Sequence, residues 1–313
     1  MKKYYGNVAP GHIVQLVLER YASSSAVVLG TLLNRYSLVT ATPQIRVRGA
    51  NKRPLLVGRI VGSTVRLMAE LPRPVFVGGL HRSGTSVLAR TLATHPDIAG
   101  LRGTRGFEDE GQHVQDVFHA AWRHGGIGRF SFDEAAHLIE PSLTSGRRAG
   151  SRLWHCWAPY VASDVPIFVE KSPPNLIRTR FLQAAFPTAT FILILRHPAI
   201  VSVRTQVLRP SISLIHLMRH WIRAHDLMVE DLRYLDRALV VRYEDLVTRP
   251  RQELKRMSDL IGVKSSFDYS EVNSDMSRDA FDQWEELRKS IPLPIMRELQ
   301  RKVLAHGYDL YGL

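Results

Sequence analysis

The 313-residue sequence predicts an α/β fold, a P-loop-type doubly wound parallel sheet flanked by helices. Three observations predict it. Short, continuous apolar runs recur along the chain, each closed by a glycine or a polar turn. Stretches with helical spacing follow them. The first run leads into a glycine-bounded loop of the kind that cradles an anion.

Taken in order, the predicted strands are Val75-Phe76-Val77, Ile167-Phe168-Val169, Phe191-Ile192-Leu193-Ile194-Leu195 and Leu239-Val240-Val241. Runs that are apolar throughout, rather than alternating, suit strands covered on both faces. Val87, Leu88 and Leu92 lie on one helical face after the first strand; Leu176 to Phe186 follows the second and Ile200 to Leu208 the third. Strand–helix alternation of this sort places ligands beyond the carboxyl ends of the strands. Towards the end, Trp284 to Lys302 reads as a helix interrupted near Pro292 and Pro294, and His306-Gly307-Tyr308 as a tail folding back on the domain. Residues 1–70 lack the alternation and contain Ser23-Ser24-Ser25 with scattered arginines. They are expected to form a basic amino-terminal segment ahead of a domain over 71–313.

The formal charge of +13 points to anionic partners, and its distribution narrows them. Residues 1–74 hold 11 Lys and Arg against Glu19 and Glu70, a balance of +9, so the rest of the chain is only mildly basic. The basic segment is a candidate for peripheral contact with an anionic membrane; no nucleic acid is expected as a partner. The single Cys156 excludes an internal disulfide and fits a reducing compartment, and beside Trp154 and Trp157 it reads as a small packed residue. Met1-Lys2-Lys3 is followed by Tyr4 and Tyr5 rather than an apolar run, and the longest apolar stretch, Ala26 to Leu33, is too short to span a bilayer. The expectation is a cytoplasmic protein.

The strongest local signal is Gly79-Leu80-His81-Arg82-Ser83-Gly84-Thr85-Ser86, between a strand and a helix. A glycine-permitted turn at a helix start aims several backbone N–H groups at one point, where the helix dipole adds positive potential. The spacing is that of the nucleotide-binding P-loop, but Thr85 stands where such loops carry lysine. A phosphate-transferring enzyme needs that lysine, with Mg²⁺ held by a hydroxyl and a strand-end Asp. Here the neighbouring strands end in Glu170-Lys171 and Arg196-His197. Those cations favour neutralising an anion without a metal, although Glu170 remains a possible metal ligand.

Three segments in this order resemble the PAPS-dependent sulfotransferases, in the branch that holds the carbohydrate and protein-tyrosine enzymes. Phe76 to Pro96 is similar to their 5′-phosphosulfate loop and its helix, and Phe191 to Thr205 to their 3′-phosphate motif. Arg242-Tyr243-Glu244-Asp245-Leu246 is similar to their Tyr-Glu-Asp-Leu segment, and Lys171-Ser172-Pro173 to a lysine-containing turn of the tyrosine enzymes. The resemblance implies transfer of a sulfonate group from PAPS to an acceptor hydroxyl on a sugar, glycolipid, tyrosine or small metabolite, with PAP as product. It implies a nucleotide site made of His81, Arg82, Ser83, Gly84, Thr85, Ser86, Arg196, Ser202, Arg204 and Tyr243. The chain departs at one point: the serine of many relatives, eight residues after the arginine, is Arg204 here, with Ser202 at six. Two rival readings stay open, a P-loop kinase or NTPase with an altered loop and a non-catalytic binder of membrane or nucleic acid.

Such a transfer needs cations around the moving group and a base for the acceptor hydroxyl. Arg82 and Lys171 are the candidate cations. The acidic stretch Phe107-Glu108-Asp109-Glu110-Gly111-Gln112-His113 holds the candidate base, Glu110 first, then Glu108 and His113; its plainer reading is a solvated acidic turn. Trp154, Trp157 and Trp221 are read as core residues, ahead of a role as an acceptor platform.

Overall fold

The computed structural model describes residues 72–162, 165–272 and 278–312. The basic segment assigned to residues 1–70, with its proposed membrane contact, lies outside them. Five parallel strands form one sheet: β1 (Arg73–Gly78), β2 (Ile98–Gly100), β3 (Ile167–Lys171), β4 (Thr190–Leu195) and β5 (Ala238–Arg242), in the spatial order β2-β3-β1-β4-β5. β1 is central. Val75 pairs with Val169 of β3 on one side and Thr190 of β4 on the other. The chain therefore reverses its direction of winding at β1, and the crevice outside its carboxyl end is where such sheets bind ligands.

The helices are α1 (Thr85–Leu92), α2 (Leu143–Trp157), α3 (Thr179–Ala185), α4 (Pro198–Leu208), α5 (Leu214–Leu232), α6 (Tyr243–Thr248), α7 (Pro250–Ile261), α8 (Arg278–Leu287) and α9 (Leu293–Leu304). Residues 107–136 run in short 3-10 turns. The two faces of the sheet carry separate cores. Phe76, Phe168, Phe191, Trp157, Trp221 and Trp284 pack on one face; Val75, Val77, Ile192, Ile194, Leu88 and Met257 pack on the other. This alternation along β1 and β4 is the period of two expected of strands, with both sides apolar because both are covered.

All four predicted strands are present, and the α/β reading holds. The predicted helix from Leu176 to Phe186 is a 3-10 turn, Pro173–Ile177, followed by the shorter α3. Pro173 and Pro174 supply no N–H for a longer helix there. The carboxyl-terminal helical stretch breaks at Ser290–Pro292, where α9 begins with Pro294 in its first turn. Trp157 and Trp221 are fully buried, and Trp154 is half-buried against Phe168, with ring centroids 5.0 Å apart. They are core residues and form no platform. Cys156 is half-buried at the core margin rather than enclosed.

Elements not foreseen include β2, α2, α5, α6 and α7. β2 has only three residues. α2 contains Gly146 and Gly150, which read as breakers but let α2 lie against α3. A Cβ at Gly150 would come 2.1 Å from the Ala185 carbonyl oxygen and one at Gly146 2.8 Å from that of Ala184. α5 buries His220 and His225 in what would otherwise be an apolar stripe, so its pattern looked polar.

Candidate active site

The loop between β1 and α1 closes tightly on its surroundings. A Cβ at Gly79 would sit 2.6 Å from the Ile194 carbonyl oxygen, and one at Gly84 2.6 Å from the Tyr243 ring. Gly84 has φ +96°, where a side chain would be strained, and Arg82 adopts φ 71° although it is not glycine. A left-handed arginine is a costly conformation, of the kind that persists where the surrounding structure holds it. Gly84 caps α1 without a side-chain hydrogen bond, so the first-turn N–H groups of the helix face outward with no intrahelical acceptor. The Ser83 hydroxyl is buried and has no hydrogen-bond partner among the described residues. An enclosed donor beside a ring of free N–H groups fits an oxyanion. Thr85 is buried at the start of α1, and Ser86 lines a cleft beside it.

Arg196 extends this positive region from the end of β4. It is buried, donates from Nη1 to the Arg82 carbonyl oxygen at 3.0 Å, and lies 4.0 Å over the Tyr243 ring. Burial lowers its pKa from the ordinary value; Tyr243 and Glu244 act against that, and the nearby charges of Arg204 and Arg82 add to it. Arg196 thus feels both neighbouring guanidinium groups, a repulsion that an anion beside it relieves. The carboxyl-terminal tail fixes this corner, as the sequence suggested. Glu244 accepts from the His197 N–H at 2.8 Å and from the Tyr308 hydroxyl at 3.0 Å, while His197 Nε2 meets the Asp309 carbonyl oxygen at 2.8 Å.

Ser202 is enclosed beside the loop, lining a small cavity with His81. It is only 1% exposed, and its hydroxyl donates to Met218 Sδ at 3.1 Å, inside the contact between α4 and α5. Its burial and that contact turn it toward α5, and Arg204, two residues on, is the less buried side chain.

The end of β3 organises the acidic turn. Successive strand residues point to opposite faces, so Glu170 and Ser172 work together with Lys171 between them. Glu170 accepts from the Gly111 N–H at 2.9 Å, from Ser172 Oγ at 2.6 Å and from Asn175 Nδ2 at 2.6 Å; Ser172 Oγ accepts from the Gln112 N–H at 3.1 Å. Trp157 Nε1 donates to the Gly111 carbonyl oxygen at 3.0 Å. Glu170 is fully buried, and burial raises its pKa despite these hydrogen bonds. With its oxygens engaged by Gly111, Ser172 and Asn175, it anchors the turn.

The turn so held presents Glu110 to Lys171. Lys171 Nζ donates to Glu110 Oε1 at 3.1 Å, with the residues 6% and 2% exposed respectively. Gln112 Nε2 donates to the other carboxylate oxygen at 2.5 Å, and His113 Nε2 lies 3.5 Å from it. Burial pushes the Glu110 pKa up, but His113, Lys171, His81 and Gln112 together bring it below the ordinary carboxylate value. The group is a carboxylate at neutral pH. His81 stands near this pair with its Nδ1 enclosed and unpartnered, and burial, with help from Lys171 and Arg209, lowers its pKa to about 4. It is a neutral imidazole.

The other members of the acidic stretch are placed differently. Glu108 adopts φ 53°, is exposed, and lies 3.8 Å from Arg90; Asp109 Oδ1 accepts from the Thr104 N–H and hydroxyl, both at 2.8 Å. His113 is exposed, with its side chain 26% accessible, and acts on Glu110. The turn is therefore not a uniformly solvated acidic surface. Missing from the sequence reading were the anchors Glu170, Ser172 and Gln112. Their signal is that polar residues flank Lys171 at the end of an otherwise apolar strand.

The family model described as "Sulfotransferase family" matches residues 74–268, more than half of the chain. The protein-tyrosine sulfotransferase of Drosophila melanogaster is 25% identical over 204 residues, covering 62% of this chain and 38% of that protein. Protein-tyrosine sulfotransferase 2 of Gallus gallus is 25% identical over 212 residues, covering 64% and 54%. The chain thus spans about half, or less, of the length of these relatives. Among solved structures, the sulfotransferase domain of the Synechococcus PCC 7002 olefin synthase is 21% identical, with 76% of this chain and 96% of that chain covered and a TM-score of 0.48.

Proposed function

The chain belongs to the sulfotransferase family, and from that premise we propose that it transfers a sulfonate group from PAPS to the hydroxyl of an acceptor. The observation that carries this reading is the buried Lys171–Glu110 pair, 3.1 Å apart at the end of β3, beside an anion cradle that has no P-loop lysine.

PAPS, when bound, supplies the sulfonate and the phosphate leaving group. The backbone N–H groups of the 79–86 loop, with Ser83, Thr85 and Ser86, hold the 5′-phosphosulfate, and His81 closes that loop from within. Arg196 and Arg204 hold the 3′-phosphate, and Tyr243 supports Arg196 through its ring. The orphan Ser83 hydroxyl and the charge of Arg82 and Arg204 felt at Arg196 fit such a ligand.

Glu110 takes the acceptor's hydroxyl proton as that oxygen forms its bond to sulfur. Lys171 and Arg82 neutralise charge that develops as the bond from sulfur to the phosphate oxygen breaks. The products are a sulfate ester, PAP and the proton, which Glu110 returns to solvent. Electrostatics and positioning carry the rate, because every group is preset before reaction. Glu108 and His113 are second choices as base: Glu108 faces Arg90 at the surface, and His113 acts through Glu110.

Transfer of a phosphoryl group is disfavoured by Thr85 at the lysine position and by the engagement of Glu170 inside the protein. Incubation of the protein with isotopically labelled PAPS and a lysate, followed by mass spectrometry, tests the reading. A labelled sulfate ester that forms with the wild-type protein and not with Glu110→Gln supports it, and absence of any labelled product across lysates rejects it.

A further inference from the structure

A cleft of about 550 Å³ opens beside the cradle, between α1 and the segment that follows β2. Its apolar lining is small, made by Ala89 of α1, Ala93 just after it, Gly100 of β2, Leu101, and Val169 of β3. Lys171 and Ser86 line the same cleft, which ties it to the reacting end of the site. A volume of this size suits one small molecule, since ligand pockets run from roughly 300 to 1,000 Å³.

The charges around the cleft are mostly spoken for. Arg90 pairs with Glu271 at 2.7 Å and approaches Glu108 at 3.8 Å; Asp109 is occupied by Thr104. Lys171 is paired with Glu110. Arg102 is the exception. It is exposed, it lines the cleft, and its guanidinium has no acceptor among the described residues; its backbone N–H alone is engaged, with the Tyr160 carbonyl oxygen at 2.9 Å.

We propose that this cleft binds the acceptor, and that the acceptor is a small hydroxyl compound with an apolar body and a carboxylate. The body covers the apolar lining, the hydroxyl lies at Lys171 and Glu110, and the carboxylate meets Arg102. An apolar lining gives the body a reason to leave water, and a guanidinium binds carboxylate through a charge-assisted, often paired hydrogen bond. A sugar, polar all round, leaves that lining unused. The proposal rests on the reading of Lys171 and Glu110 as the reacting pair.

The test is ligand-observed NMR on PAP-saturated protein with two matched probes, para-hydroxyphenylacetate and para-hydroxyphenylacetamide. The carboxylate should bind on the order of tenfold more tightly than the amide, the loss expected for one charge-assisted contact at an exposed site. Arg102→Ala should bring the two affinities together while leaving the melting temperature unchanged, because the side chain is exposed. Equal affinities in the wild-type protein, no measurable binding of the carboxylate, or an Arg102→Ala protein that still prefers it would each overturn the proposal. A thermal-shift control with PAP on the same samples separates the two levels. Stabilisation by PAP without discrimination between the probes removes the acceptor assignment only, whereas no stabilisation by PAP removes the nucleotide reading beneath it.

Discussion

Replacing Lys171 by methionine isolates what the buried ion pair does. The substitution keeps the length of the side chain and removes its charge, leaving Glu110 enclosed with only Gln112, His113 and neutral His81 beside it. At 3.1 Å, two unit charges in a medium of effective dielectric about 20 attract by about 5 kcal/mol. Part of that offsets the cost of desolvating both groups, and breaking a buried pair from one side costs about 3–5 kcal/mol. Two effects follow. Lys171→Met should lower stability by an amount in that range, and it should raise the Glu110 pKa, because burial is then opposed by fewer groups. The acid limb of the rate profile for sulfonate transfer should move to higher pH, with a fall in kcat that exceeds any rise in KM for PAPS. A double-mutant cycle with Glu110→Gln, read by urea unfolding, measures the coupling directly. A Lys171→Met protein of wild-type stability, with its acid limb unmoved and stability losses additive with those of Glu110→Gln, would refute the pairing as the organising feature of the site.

Other perturbations separate binding from chemistry. Arg196→Ala should weaken PAP binding by about 1.5–3 kcal/mol, the worth of a hydrogen bond to a charged group; calorimetric titration giving an unchanged affinity would displace the 3′-phosphate site. Glu110→Gln should keep PAP affinity and lose about 10² to 10⁴ in rate, and turnover near the wild-type level would move the base to Glu108 or His113. Stability should also fall in mild acid. His81 and His225 have pKa values lowered to about 4 and about 3, and His220 lies well below its usual value, all through burial. Below the unfolded value, about 6.5, the unfolded chain binds protons that the native state refuses. Stability is therefore complete above that pH and is lost as pH falls toward the folded values, at about 1.4 kcal/mol per pH unit for each histidine. Urea midpoints that do not change between about pH 7.5 and about pH 5 would contradict the burial of neutral imidazoles.

The fold was legible because its strands are covered on both faces. A run such as Phe191 to Leu195 has no other stable home, and the glycine-bounded loop after Val77 marks where the sheet binds. The 3-residue β2 left too short a pattern to read. α2 and α5 were hidden for a different reason: each uses residues that look wrong for a buried helix face. Gly146 and Gly150 are there to admit the backbone of α3, and His220 and His225 are buried as neutral rings against aromatic neighbours. At the site, Lys171 and Glu110 could be singled out by type, yet their meeting depends on Glu170 and Ser172 gripping a turn some sixty residues away in sequence. No local pattern encodes that contact. Ser202 could be singled out by its offset from Arg196, but its contact with Met218 of α5 is set by the packing of two helices and not by the local pattern.

The cradle and its arginines should accept a doubly phosphorylated adenosine by direct neutralisation. Thermal denaturation in the presence of a chelator, with PAP or ATP added, tests this most directly. PAP at 100 times its dissociation constant should add about 2.7 kcal/mol of stability, visible as a higher melting temperature, with ATP giving a smaller shift. Stabilisation by ATP only when Mg²⁺ is restored, with none from PAP, would contradict it.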